Sequence, residues 1–169
     1  SVTGVSVGDK LVATATDAKG NTSEFSNSVV VTAALLASAM AEGEANSAPL
    51  NAAQLSSAVS QAVVAWQLAG LDAERLSRLS SLTFAVSDLP GRYLGLAAPD
   101  RILVDSDAAG YGWYIPEKSE ISNPKSQMDL LTAVMHEMGH AIGLADGSDE
   151  EDLMAGVLQP GIRRFPSLE

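Results

Sequence analysis

Residues 135–146, Met135-His136-Glu137-Met138-Gly139-His140-Ala141-Ile142-Gly143-Leu144-Ala145-Asp146, hold both histidines of the 169-residue chain. At 3.6 residues per turn, a helix through this stretch sets His136 and His140 about 40° apart, on one face. Two ring nitrogens so placed can converge on one small cation. Glu137 projects about 100° round from His136, beside the ligands, where a carboxylate can hold a water on the metal. Ser126 with Asp129 three residues on is the expected helix start, Ile142 its approximate end and Gly143 its terminator. Leu130, Leu131, Val134, Met138, Ala141 and Ile142 form an apolar stripe, whereas Thr132, Ala133, Gly139 and Gly143 on the histidine side are small. The pattern predicts a helix with its back in the core and its front clear. The competing reading is a buried, hydrogen-bonded histidine pair, since HExxH also arises by chance. Helix placement and the confinement of both histidines to the motif count against it.

A glycine after the second histidine lets the chain leave the helix in a left-handed conformation. Asp146 can then return to the metal as a third ligand. The chain has no further histidine and no cysteine, so only a carboxylate can complete a site of three protein ligands. Asp149, Glu150, Glu151 and Asp152 on the same acidic segment compete with Asp146 for that place.

The composition narrows the rest. At 46% hydrophobic and 18% charged residues, the chain can bury a core and is not disordered by composition. Ten Lys and Arg stand against 21 Asp and Glu, a net charge of −11, which argues against nucleic-acid and anionic-membrane partners. The absence of cysteine excludes disulfides, thiolate metal sites and cysteine nucleophiles. The longest apolar run, Val29–Ala41, has 13 residues, short of the roughly 20 that span a bilayer. Ser1-Val2-Thr3-Gly4 has no leader character, and the chain begins as if cut from something longer.

Along the chain, residues 1–32 read as β. Lys10–Thr16 and Phe25–Thr32 are strand candidates around the turn-forming Asp17–Thr22, with Val2–Val7 as a third. Residues 33–50 read as a linker, although Val29–Leu36 offers a first strand for the following sheet. Asn51 and Gln54 make a capping box, followed by an amphipathic helix to about Gly70. Asp72 caps a shorter helix through Leu79. Strand candidates follow at Leu82–Val86, Tyr93–Ala97, Ile102–Val104 and Gly112–Ile115.

The motif HExxHxxGxxD, followed by Asp152-Leu153-Met154-Ala155-Gly156, resembles the metzincin metallopeptidases, whose metal helix is followed by a methionine turn. The eight-residue step from Asp146 to Met154 is similar to the snapalysin type. Leu94–Ala97 and Ile102–Trp113 resemble the strands before the active helix in matrixins. This resemblance covers about residues 50–169, and its core is 136–154. Histidine stands at the Asp146 position in most matrixins. The tyrosine that some metzincins carry after the methionine is absent here, as are the matrixin histidines of the strand region. The wording of residues 1–32 resembles the closing strands of immunoglobulin-like repeats in large bacterial surface proteins.

The resemblance implies an α+β, metzincin-like fold: a small mixed twisted sheet, a packing helix and an active-site helix, preceded by a short β ribbon. The implied organisation is the tail of an immunoglobulin-like repeat over 1–32, a linker over 33–50 and a peptidase domain over 51–169. The implied function is a secreted, zinc-dependent endopeptidase at the bacterial surface. His136, His140 and Asp146 would hold Zn²⁺, Glu137 would serve as base and Met154 would lie beneath the metal. The expected partners are peptide or protein substrates, and the domain is expected to be monomeric within a larger chain. Asp105 and Asp107 are candidate calcium ligands, with turn-capping aspartates as the alternative. Tyr111, Trp113 and Tyr114 are candidates to line the cleft or to pack. Arg163 and Arg164 are expected to pair with the acidic run 149–152. A second reading, from a different class, is a metal-stabilised adhesion module without useful turnover.

Overall fold

Each helix starts where the sequence supplies a side-chain acceptor for its first free amides. The computed structural model describes residues 10–11, 29–30, 33–42, 48–115 and 126–168. Lys10–Leu11 (β1) and Val29–Val30 (β2) pair antiparallel. The remainder of the strands expected within 1–32 lies outside the described residues. Ala33–Ala37 form β3. The helix α1, Ala52–Leu68, opens on the reciprocal Asn51–Gln54 capping box, with both bonds at 3.0 Å. The helix α2, Ala73–Ser81, is capped by Asp72, whose carboxylate accepts from the Arg75 amide at 2.9 Å.

Three five-residue strands come next: β4 (Thr83–Ser87), β5 (Tyr93–Ala97) and β6 (Arg101–Asp105). Trp113–Tyr114 (β7) pair in parallel with Met128–Asp129 (β8). This pairing keeps the chain extended up to Asp129, so Asp129 and not Ser126 caps α3, Leu130–Ala141. Its carboxylate accepts from the Thr132 amide at 2.8 Å and from the Thr132 hydroxyl at 2.9 Å. Val157–Leu158 form β9.

The main sheet has the order β4-β6-β5-β3-β9. β4 runs parallel to β6, β6 antiparallel to β5, β5 antiparallel to β3, and β3 parallel to β9. With α1 and α3 packed on it, this is a mixed α+β domain. Leu55, Ala58, Ala62 and Trp66 form the buried stripe of α1. The Trp66 indole N–H donates to the Met135 carbonyl at 3.2 Å and ties α1 to α3.

Two further expectations change. The stretch 33–50, read as a linker, begins with a strand: Ala33–Ala37 lie inside the sheet, and Leu35 and Ala37 are fully buried. Alanine-rich sequence masked this, because its strand propensity is poor and only partners on both edges hold it extended. The helix α3 does not keep a clear front either. Eleven of its residues are buried, His136 and Glu137 completely, because strands cover the side opposite α1.

Candidate metal centre

The C-terminus of α3 sets the site. Gly143 takes a φ of +95°; its amide donates to the His140 carbonyl at 3.0 Å, and the Leu144 amide donates to the Gly139 carbonyl at 2.9 Å. This is a Schellman closure, with glycine at the left-handed position. It turns the chain back, so that the Asp146 carboxylate faces the histidines. Asp146 Oδ1 lies 3.2 Å from His140 Nε2 and 3.6 Å from His136 Nε2, and the two Nε2 atoms are 2.8 Å apart. Asp146 is the acid that joins them. Among the described residues, His136, His140 and Asp146 are the group whose ligand atoms all lie within 4.8 Å of one another.

The other ring nitrogens fix the tautomers. His136 Nδ1 lies 2.9 Å from the Leu153 carbonyl and His140 Nδ1 lies 2.9 Å from the Leu144 carbonyl. A carbonyl only accepts, so each Nδ1 carries the hydrogen and each Nε2 presents a lone pair. Burial pushes the His136 pKa down to about 4, against the opposing pull of the Leu153 carbonyl, so this imidazole is neutral at pH 7. Two lone pairs and a carboxylate oxygen directed at one point repel each other unless a cation lies between them. Two imidazoles and a carboxylate are a donor set that suits Zn²⁺.

The methionine turn packs directly below. A Cβ on Gly139 would run into the Met154 thioether, with Trp66 next to it at 3.4 Å. Asp152 Oδ1 accepts from the Met154 amide at 2.7 Å, and the Met154 carbonyl accepts from Gly147 at 2.8 Å. Met154 is therefore the floor under α3 at the ligand turn, and the preceding carbonyl, that of Leu153, orients His136.

Glu137 is fully buried between β3 and β5. Its Oε1 accepts from the Leu35 amide at 2.8 Å. A Cβ on Gly95 would stand 2.6 Å from its Cγ, so only glycine lets β5 pass so close. Burial pushes the Glu137 pKa up to about 8; the Leu35 and Ala97 amides oppose this, and Asp146 adds to it.

The remaining candidates separate. Asp105 is buried, with one carboxylate oxygen on the Leu89 amide at 2.8 Å and the other on the Ala109 amide at 2.9 Å. Asp107 accepts from Gly110 at 3.1 Å. Asp107 holds the backbone of its own loop, and Asp105 ties that loop to the one that carries Leu89. Trp113 and Tyr114 are buried, with the Trp113 indole on the Asp105 carbonyl at 2.7 Å, while Tyr111 reaches the Met40 carbonyl at 3.4 Å. Arg163 departs from expectation. It pairs with the buried Asp129 at 2.7 and 2.9 Å and stacks over Tyr114, because a carboxylate taken out of water is costly to leave without a cation. Arg164 donates to the Val157 carbonyl at 3.0 Å and feels Asp152 and Glu150. An open apolar groove of about 490 Å³ lies elsewhere, between α1 and β4, lined by Leu50, Leu55, Val59, Phe84 and Val86.

Sequence reasoning missed the Leu35, Leu144 and Leu153 backbone contacts and the role of Gly95. Only Gly95 carried a signal, since a glycine inside a strand pattern marks a close approach. Residues 83–166 match the family model for matrixin. That span runs from β4 through the ligand helix and the methionine turn, and it supports a metzincin-type peptidase domain. Comparison with curated proteins gave no match.

Proposed function

We propose, taking a metzincin-type peptidase domain as the premise, that the chain is a zinc-dependent endopeptidase acting on peptides or proteins outside the cell, at a bacterial surface. The observation that carries this reading is the convergence of His136 Nε2, His140 Nε2 and Asp146 Oδ1, with both Nδ1 atoms anchored on carbonyls. These three residues would hold Zn²⁺, which when bound supplies a Lewis acid and lowers the pKa of water. Glu137 moves a proton at its carboxylate, from the attacking water to the amine that leaves. Leu144 and Leu153 keep the imidazoles turned inward, and Met154 with Trp66 supports the helix from below.

Zinc content by element-resolved mass spectrometry, together with cleavage of a generic peptide library, tests this. One zinc per chain and cleavage are expected, and Glu137→Gln is expected to keep the zinc and lose the cleavage. A protein that takes up no zinc when supplied with it would sink the proposal. The burial of Glu137 also favours a second reading, a metal-stabilised adhesion module. Under that reading Glu137→Gln changes neither metal content nor function, and the zinc-loaded parent cuts nothing.

A further inference from the structure

We infer that β3 occupies, from within the same chain, the groove in which a peptide substrate lies, and that it presents the Ala34–Leu35 bond to Glu137. The inference rests on the hydrolase reading above and adds where the substrate binds and of what kind it is. β5 and β9 both lie within the 83–166 match, whereas β3 lies outside it, on the far side of α1 in the sequence. β3 is thus a separate piece of chain laid between two edges of the matched unit.

Its bonds are those of a bound peptide. On one side it pairs antiparallel with β5, Ala33 to Ala97, Ala34 to Leu96 and Leu35 to Gly95. On the other it runs parallel to β9, with the Leu36 amide on the Gly156 carbonyl at 3.1 Å and the Ser38 amide on the Leu158 carbonyl at 2.9 Å. Recognition through backbone on both edges accepts any extended segment, and side-chain pockets then select among them. Both walls belong to the metal centre. Gly95 passes against the Glu137 side chain, and a Cβ on Gly156 would meet the Asp146 carboxylate at 3.4 Å. The register shifts between Leu35 and Leu36, a bulge of the kind that aims backbone at a site.

The atom facing Glu137 Oε1 at 2.8 Å is the Leu35 nitrogen. That nitrogen is the one freed as an amine when Ala34–Leu35 is cut, with water adding its hydroxyl to the Ala34 carbonyl carbon and a proton to the Leu35 nitrogen. The Leu35 side chain is fully buried. The substrate class is therefore an extended peptide with a small residue before the cut bond and a leucine-sized apolar residue after it.

The test compares the full chain with Leu35→Asp, which puts an unpaired carboxylate where the Leu35 side chain is fully buried, and with Leu36→Pro, which removes the donor to Gly156. Glu137→Gln is added to every chain for the binding arm, so that nothing is cut. A labelled peptide of sequence Ala-Ala-Leu-Leu-Ala is expected to bind both displaced variants at least tenfold more tightly than the parent. Amide exchange on the unmodified parent is expected to be at least a hundredfold faster for Leu35–Ser38 than for β6 and α3. Equal peptide binding by folded variants, β3 amides as protected as those of β6, or variants that unfold would each make β3 an integral strand and overturn the inference. Cleavage is read separately, with Glu137 intact. Tight peptide binding with no cutting by any zinc-loaded variant would remove the hydrolase reading and leave the groove.

Discussion

Asp146 is half exposed while His136 is fully buried, so the site is assembled from one solvated anion and a sequestered helix. The value of Asp146 to the site is geometric: it brings an oxygen to both Nε2 atoms. Asp146→Ala is expected to weaken zinc binding at least tenfold, and Asp149→Ala to leave it unchanged, since the Asp149 carboxylate accepts from the Glu151 amide at 2.9 Å within its own turn. Competition with a chelating dye measures both. Asp105 gives a different prediction. Burial raises its pKa from 3.8 to about 6, the Ala109 and Leu89 amides oppose this, and Asp107 adds to it. Between those two values the folded chain holds more protons than the unfolded one, so stability falls as pH rises from about 4 to about 6. Asp105→Asn cannot titrate and should flatten that slope in urea titrations across this pH range. It should also lower stability overall by about 1–3 kcal/mol, because its amide nitrogen meets a backbone donor.

At the level of elements, the end of α3 is where local backbone decides chemistry. Gly143 has open space around a built Cβ but sits at φ +95°, so Gly143→Ala brings strain and no clash. It should cost about 1 kcal/mol in thermal unfolding. It should also lower zinc affinity while leaving the zinc-free helix content the same by circular dichroism. This turn was legible in the sequence, as were the Asn51–Gln54 capping box, the Asp72 cap and β5, because each is specified by residues within four positions of one another. The grouping of His136, His140 and Asp146 was legible as well, because all three lie in one short stretch with the helix-ending Gly143 between the histidines and the acid. The start of α3 at Asp129 was not, since a pairing with Trp113–Tyr114 decides it. Nor was β3, whose alanines carry little strand signal and whose partners lie about sixty residues or more further along the chain. The burial of Glu137 followed from that same distant pairing. Arg163 found Asp129 for a tertiary reason as well: β7, β8 and the C-terminal segment meet there.

For the whole molecule, the candidate metal centre draws on one short stretch of chain, residues 136–154, which the surrounding sheet and α1 hold in place. His136 and His140 come from α3, Asp146 from its exit, and the supporting Leu153 and Met154 from the following turn. A cation held only by the folded form stabilises it by mass action, about 2.7 kcal/mol at a free concentration a hundredfold above the dissociation constant. Chelation should therefore lower the midpoint of thermal unfolding, and the midpoint should climb with added zinc; a midpoint indifferent to zinc would place the ion outside the folded site. The link between Trp66 and the Met135 carbonyl carries a consequence of another sort. The chain has two tryptophans, and both are buried: Trp66 against the ligand helix, Trp113 against the Asp105 loop. One indole is thus a built-in optical probe of the helix that bears the histidines, beside a polarisable sulfur that can quench it, and its emission should change in colour or intensity as the site fills.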